Sequence, residues 1–340
     1  MQCLYHIPQF TNFFISDNNF SNFTEDFFTN TEYLTINDIE INNNSLTFKY
    51  LEIIYHLYHK KGNNSHNDYY SPNKILEYIQ NQEPKTFLKN EENSPKKLYN
   101  YFMKKLKEEL KEKEKEQNLG DKNVSDIFNS RIQNEDNLYQ EYLSDFKFKN
   151  NSIIDQLFTG IKLISIKCEK CDESGQIFED FNFMHFSLDK AEKNMENKFK
   201  KIDLNECFKY YFNNQKVEQI CKKCGNNSIY TSKKINLSPK ILTIFLENMK
   251  EKGNLFKLDI EININEYLKE KNEGYKLIGM ITYLKIKGSN ESYQAYCYSN
   301  EYNKWFCFVD EYVYEVDDII NNIQNTNRLP YILFYNENTA

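Results

Sequence analysis

The sequence predicts an α+β fold with a mainly antiparallel sheet, on three observations. Apolar residues in the first 150 positions recur at helical spacing, and strand-like runs crowd the region after Gly160. Residues 256–267 (FKLDIEININEY) alternate strictly between apolar and polar, the mark of a strand with one wet face. A chain of 340 residues, 40% hydrophobic and rich in Tyr and Phe, has the apolar surface for a sizeable core, as one large domain or two modest ones.

The elements follow in order. The first sixty residues alternate aromatic clusters with Asn, Asp and Thr breaks. Leu46 to His59 (LTFKYLEIIYHLYH) sets Leu51, Ile54, Tyr55 and Tyr58 at helical spacing. His56 and His59 ride on that helix, and with no third ligand nearby they read as core-edge or surface residues. Residues 61–72 form a polar loop with Gly and Pro. From Leu98 the apolar positions are Phe102, Leu106 and Leu110, followed by KEKEKE, which predicts a helix with a narrow buried stripe and a solvated, mixed-charge end. Gly120 would stop it. A second helix is predicted near 137–146. Strand-like runs then fall at 161–166, 181–188, 235–246, 258–264, 275–286, 293–298, 304–309 and 331–335.

Charge and hydropathy exclude two function classes. Lys+Arg 43 against Asp+Glu 50 leaves −7, which argues against phosphate-driven nucleic-acid binding, since that needs clustered cations. No run of about 18 apolar residues exists, so no membrane span is predicted. The opening MQCLYHIPQF lacks a basic segment followed by an apolar run, so no secretory signal is expected. Matches to N-x-S/T, as at Asn22, Asn43 and Asn123, carry little information in so Asn-rich a chain. The expected location is intracellular, cytoplasmic or nuclear. In a reducing compartment the eight cysteines read as thiols or metal ligands.

Four of them are patterned. Cys168 and Cys171 form one C-x-x-C knuckle, and Cys221 and Cys224 a second, followed by Gly225. Each turn sets two sulfurs on one side of a tight bend, so two turns can complete a tetrahedron around Zn²⁺. Neighbouring lysines favour the ligating thiolate. The 49 residues between Cys171 and Cys221 exceed usual finger spacing but suit a β excursion that returns to close the site. A redox dithiol or four unrelated thiols are the alternatives; a redox motif does not come as a matched pair. Cys207 reads as packing, and Cys297 and Cys307, alternating with aromatics, as core.

The knuckles stand in a wider pattern. Leu157-Phe158-Thr159-Gly160 precedes the first and FEDFNFMHFSLD (178–189) follows it; Tyr210-Tyr211-Phe212 precedes the second and LSPKILTIFLENMK (237–250) follows. Met1-Gln2-Cys3-Leu4 with Pro8 and Phe10, NLYQEYL (137–143), SYQAYCY, KWFCFVDEYV and YILFYN complete the order. This resembles the ubiquitin-specific proteases, deubiquitinating cysteine peptidases, over nearly the whole chain. The resemblance implies a papain-like single domain over 1–340, with a helical thumb (1–155), zinc-ribbon fingers (156–250) and a β palm (251–340). It implies structural zinc on Cys168, Cys171, Cys221 and Cys224, and ubiquitin or a ubiquitinated protein as partner.

The same resemblance locates the chemistry, and here the chain departs from it. Cysteine catalysis needs a nucleophile, a base and a group that orients the base. The family's nucleophile box precedes the turn that begins here at Met1. Cys3 with His6 one turn on could replace it, but packing of Cys3 in the core is the simpler expectation. The base belongs in G-H-Y-x-A-Y, where Glu291-Ser292-Tyr293-Gln294-Ala295-Tyr296 puts Ser292 in place of the imidazole. A hydroxyl cannot take a thiol's proton near neutral pH. The five histidines are His6, His56, His59, His66 and His185, so none follows residue 185. The orienting Asn or Asp precedes the Asp of W-x-x-F-x-D; Trp305, Phe308 and Asp310 are kept, but Val309 fills that position. No catalytic residue is therefore assigned. The expected function is a non-catalytic domain that binds ubiquitin or a protein partner. The alternatives are an active deubiquitinase present as an N-terminally truncated chain, and a structural assembly module.

Overall fold

A computed structural model describes residues 1–16, 20, 23–59, 70–87, 94–112, 135–171, 173–195, 201–218, 220–247, 256–285 and 291–338. The Lys113–Glu116 part of KEKEKE, the expected stop at Gly120, and His66 lie outside them. The helices are α1 (Gln2–Tyr5), α2 (Pro8–Ile15), α3 (Glu25–Asn30), α4 (Leu46–His59), α5 (Asn73–Gln82) and α6 (Pro95–Glu109). They continue with α7 (Glu135–Lys149), α8 (Ile153–Phe158), α9 (Leu188–Asn194), α10 (Leu204–Phe212) and α11 (Ile319–Thr326). The first strands are β1 (Tyr33–Ile36), β2 (Ile39–Asn42), β3 (Gly160–Cys168), β4 (Ser174–Phe181), β5 (Met184–Ser187), β6 (Gln215–Glu218) and β7 (Ser228–Leu237). The rest are β8 (Ile241–Glu247), β9 (Glu261–Ile262), β10 (Tyr275–Lys285), β11 (Glu291–Ser299), β12 (Lys304–Val309), β13 (Tyr312–Val316) and β14 (Leu329–Glu337). The expected α+β fold with antiparallel sheets is what forms. No described helix is long and apolar enough to cross a membrane.

The chain divides into two compact units. The first comprises 1–113, 152–157 and 278–328. Its helices centre on α4, nine of whose fourteen residues are buried, so the helix is a core element rather than a surface one. Phe10, Phe14 and Phe102 pack around Tyr50 with ring centroids 5.9, 5.7 and 5.3 Å away. Glu109 caps α4, accepting from the backbone N–H groups of Leu46 (3.1 Å) and Thr47 (2.7 Å). β1 and β2 form a hairpin through Asn37 and Asp38, both left-handed at φ 49° and 64°, as a two-residue turn of this hand requires. In the same unit the run from Gly279 in β10 pairs with β11, β11 with β12, and β12 with β13, all antiparallel.

The second unit comprises 114–151, 158–277 and 329–340. One sheet is a long antiparallel ribbon in the order β4-β3-β7-β6. Tyr139 and Phe146 of α7 pack with Ile161 at its base. β14, β8 and β5 pair in that order, the last two in parallel. The predicted run 235–246 is broken into β7 and β8 at Ser238-Pro239, where proline lacks the N–H a ladder needs. A Cβ on Gly160 would lie 2.8 Å from the Leu237 carbonyl oxygen and 2.6 Å from the Phe181 ring. Gly160→Ala is therefore expected to destabilise the protein by about 1–3 kcal/mol, read as a lower thermal midpoint; an unchanged midpoint contradicts that packing.

Residues 256–267 differ from the strand predicted for them. Only Glu261 and Ile262 enter a ladder, opposite Lys276 and Tyr275. The alternation survives as burial: Phe256, Leu258, Ile262 and Ile264 are inside, while Lys257, Glu261 and Asn263 are exposed. Single anchors hold the segment extended, Phe256 bridging to Ile202 and the Leu277 N–H donating to the Ile260 carbonyl at 2.7 Å. Period two arises wherever alternate side chains are buried, with or without a neighbouring strand.

Candidate functional site

The four patterned cysteines converge at one end of the β3–β7 ribbon. β3 ends at Cys168, and Cys168 pairs with Ile229 of β7, which brings the two knuckles face to face. Cys168 Sγ is 3.7 Å from Cys224 Sγ, and Cys171 Sγ is 3.6 Å from Cys221 Sγ. A tetrahedral thiolate site with metal–sulfur bonds of about 2.3 Å has sulfur–sulfur edges of about 3.8 Å. All four sulfurs lie within 4.8 Å of one another, so the group could hold a metal ion.

Local backbone builds each turn. The Cys168 N–H donates to the Glu173 carbonyl at 2.8 Å, and the Cys221 N–H to Asn226 at 2.7 Å. Gly225, left-handed at φ 69°, closes the second turn by donating to the Cys221 carbonyl at 2.9 Å. The N–H groups of Lys170 and Cys171 hold the Cys168 thiol down to about 6. At Cys171 the Glu173 N–H is outweighed by burial and the neighbouring sulfurs, which push the thiol up to about 12, so without a metal the negative charge sits on Cys168. Backbone dipoles, rather than the lysine charges expected from the sequence, supply this effect; Lys223 is bridged to Glu173 at 2.9 Å. Cys207 lies apart on α10, buried, with its thiol pushed up to about 12 by burial.

The second candidate lies in the other unit, on β11 and β12. Ser292 is opposite Leu284 of β10, and the β11–β12 ladder ends at Ala295 opposite Phe308, one residue before Val309. Arg328, only 6% exposed, donates from Nη2 to Ser292 Oγ at 3.0 Å and from Nη1 to the Ser292 carbonyl at 3.3 Å. Burial lowers its guanidinium from the ordinary value, but a guanidinium starts high enough to stay protonated at neutral pH. Tyr296 Oη donates to Asn322 Oδ1 at 3.0 Å, tying β11 to α11. Asn327, left-handed at φ 52°, ends α11 and sets Arg328 in place. Val309 offers no polar atom. Asp310 occupies the β12–β13 turn, exposed and left-handed at φ 50°.

Cys3 and His6 do not form a dyad. Cys3 is buried, its sulfur 3.6 Å from the Met280 carbonyl and 3.7 Å from Cys297 Sγ. His6 Nδ1 lies 2.9 Å from the Gln2 carbonyl, and its ring meets Phe308 at 5.1 Å. The other described imidazoles also have partners elsewhere: His56 stacks on Tyr70, His59 packs with Tyr55, and His185 meets Glu247. Cys297 and Cys307 are core, as expected.

Arg328 is the residue that sequence reasoning missed. It lies 36 positions from Ser292 and belongs to no motif. One signal was available: only two of the 43 basic residues are arginines.

A sequence profile described as Ubiquitin carboxyl-terminal hydrolase matches residues 1–335. Comparison with curated proteins gives no match. Among solved structures, the SAGA Ubp8/Sgf11/Sus1/Sgf73 DUB module bound to ubiquitin aldehyde is similar at TM-score 0.64 and 16% identity, over 100% of this chain and 66% of that chain. The yeast SAGA DUBm with an Sgf73 variant gives TM-score 0.63 and 16% identity, over 100% of this chain and 65% of that one. The Ubp8-Sgf11-Sgf73-Sus1 module gives 0.60 and 17%, over 99% and 64%. The chain thus spans just under two thirds of the length of these relatives. At such identity the likeness is one of fold.

Proposed function

Because the chain belongs to the ubiquitin carboxyl-terminal hydrolase family, the ubiquitin-specific proteases, we propose that it is a non-catalytic member that binds ubiquitin or a ubiquitinated protein. The observation that carries this reading is the Arg328–Ser292 pair. The resemblance puts the general base at position 292, where a hydroxyl is held by a cation. A base that must become imidazolium during the reaction would meet like charge there. Val309 supplies nothing to orient it.

Binding can outlast chemistry, because a surface that grips a whole protein is much larger than a triad. Structures of the similar modules include complexes with monoubiquitin and ubiquitin aldehyde, which supports ubiquitin as the partner class. We further assign Cys168, Cys171, Cys221 and Cys224 as ligands of a structural zinc ion, which when bound would cross-link the two turns. We also propose a helical thumb over residues 1–155, zinc-ribbon fingers over 156–250 and a β palm over 251–340. Calorimetric titration with ubiquitin is expected to show a Kd near or below about 10 µM, the range of transient interfaces. Absence of heat at a hundredfold higher concentration would favour an assembly module that has lost ubiquitin.

A further inference from the structure

We infer that the open edge of β13 is a docking strand for an extended, basic segment of another protein. This goes beyond the ubiquitin reading and does not depend on it. β13 ends its strand order, so among the described residues one side has no neighbour. The β12–β13 link is two residues, Asp310 and Glu311, between the paired Val309 and Tyr312. In an antiparallel ladder closed this way, hydrogen-bonded and non-bonded pairs alternate from the turn. Tyr312, Tyr314 and Val316 therefore direct their backbone groups to β12, and Val313 and Glu315 direct theirs to the open side.

Natural edges are blunted by charged side chains, by Pro, by bulges or by a covering element, and among the described residues the only such guard here is acidic charge. The sequence YVYEV has no Lys or Pro, and its register against β12 is unbroken. Its side chains up to Glu315 stay out in water, with Tyr312 56% exposed, Val313 57% and Tyr314 53%, and only Val316 is buried. Val313 also borders a groove of about 460 Å³, with Phe306, Phe308, Tyr302 and His6 on its walls. Apolar pockets beside a free edge are what strand addition uses for side-chain recognition.

Charge selects the occupant. Residues 310–318 (DEYVYEVDD) carry Asp310, Glu311, Glu315, Asp317 and Asp318, all exposed, and no base. Lys304 on β12 pairs with Glu315 alone among them. A second copy docking edge to edge would set acidic strand against acidic strand, and like charges across a pair destabilise it. An added strand with Lys or Arg at alternate positions gains instead.

The test uses the full chain and an eight-residue peptide of alternating Lys and Val, with an alternating Glu and Val peptide as control. The Lys peptide should bind, and the Val313 and Glu315 amides should gain about tenfold or more protection from hydrogen exchange. The Tyr312 and Tyr314 amides, already bonded to β12, should not change. Val313→Pro removes one outward N–H and should weaken binding about tenfold; Asp317→Lys should weaken it as well. Should Val313→Pro lose Tyr314 protection and so prove misfolded, the exchange pattern of the unaltered chain decides. The proposal is overturned if the Lys peptide does not bind by 1 mM, if both peptides bind equally, or if bound peptide leaves Val313 and Glu315 unprotected. It is equally overturned if those amides become protected with rising protein concentration and no peptide, which would mean self-pairing.

Discussion

Cys221→Ser is expected to lower the thermal midpoint by about 10 °C or more and to abolish stoichiometric zinc. Structural zinc in small fingers contributes an apparent ~10–16 kcal/mol, and part of that is at stake here. The apolar core beside the sulfurs is small: Cys168, Cys221 and Ile229 are its buried members, with Ile166 and Val217 half-buried against them. A ribbon tip with so little to bury would depend on the proposed zinc cross-link. Metal analysis should give about one zinc per unaltered chain. Cys207→Ser, on α10 and outside the cluster, should keep that zinc. Loss of zinc from both variants, or from neither, contradicts the assignment.

The second large effect concerns position 292, where the resemblance puts the general base and this chain carries Ser292. In Ser292→His, the new imidazole will lie beside the buried Arg328 guanidinium, and its pKa should fall well below the ordinary ~6.5. The sign of the stability effect follows. A depressed folded pKa means the unfolded chain binds more protons between the two values, so stability rises with pH there. The variant should lose stability relative to the unaltered protein as pH drops below about 6.5, by about 1.4 kcal/mol per pH unit of depression. Adding Arg328→Gln should return the imidazole toward its ordinary value. NMR titration of the introduced ring reads both, and a pKa at or above 6.5 in the single variant refutes the account of Arg328. Neither variant is expected to gain turnover, since Val309 still leaves the ring unoriented.

Much of this was legible in the residues, and the exceptions have physical causes. The two knuckles were plain because ligand spacing is local: sulfurs three residues apart share a bend, and only their convergence across the ribbon needed the fold. Ser292 and Val309 were plain because each sits in a short motif with fixed neighbours. Arg328 was not, since its approach to Ser292 depends on where α11 ends and on the left-handed Asn327 after it. β13 escaped notice because YVYEV, exposed on both faces up to the buried Val316, has no hydrophobic alternation to announce a strand. The β1–β2 hairpin escaped for want of a glycine; Asn37-Asp38 makes its turn with less obvious residues. The strand expected over 256–267 is the converse case, a true alternation produced by burial of alternate side chains without a ladder.

The central claim is that this scaffold has kept its shape and lost its reaction. The most direct measurement is release of fluorophore from a ubiquitin–fluorophore conjugate by zinc-loaded, folded chain, run beside the same sample treated with a thiol alkylator. The account predicts traces identical to each other and to buffer. Turnover in the untreated sample that the alkylator abolishes would contradict it, and would require a base that Ser292, pinned by Arg328, does not provide.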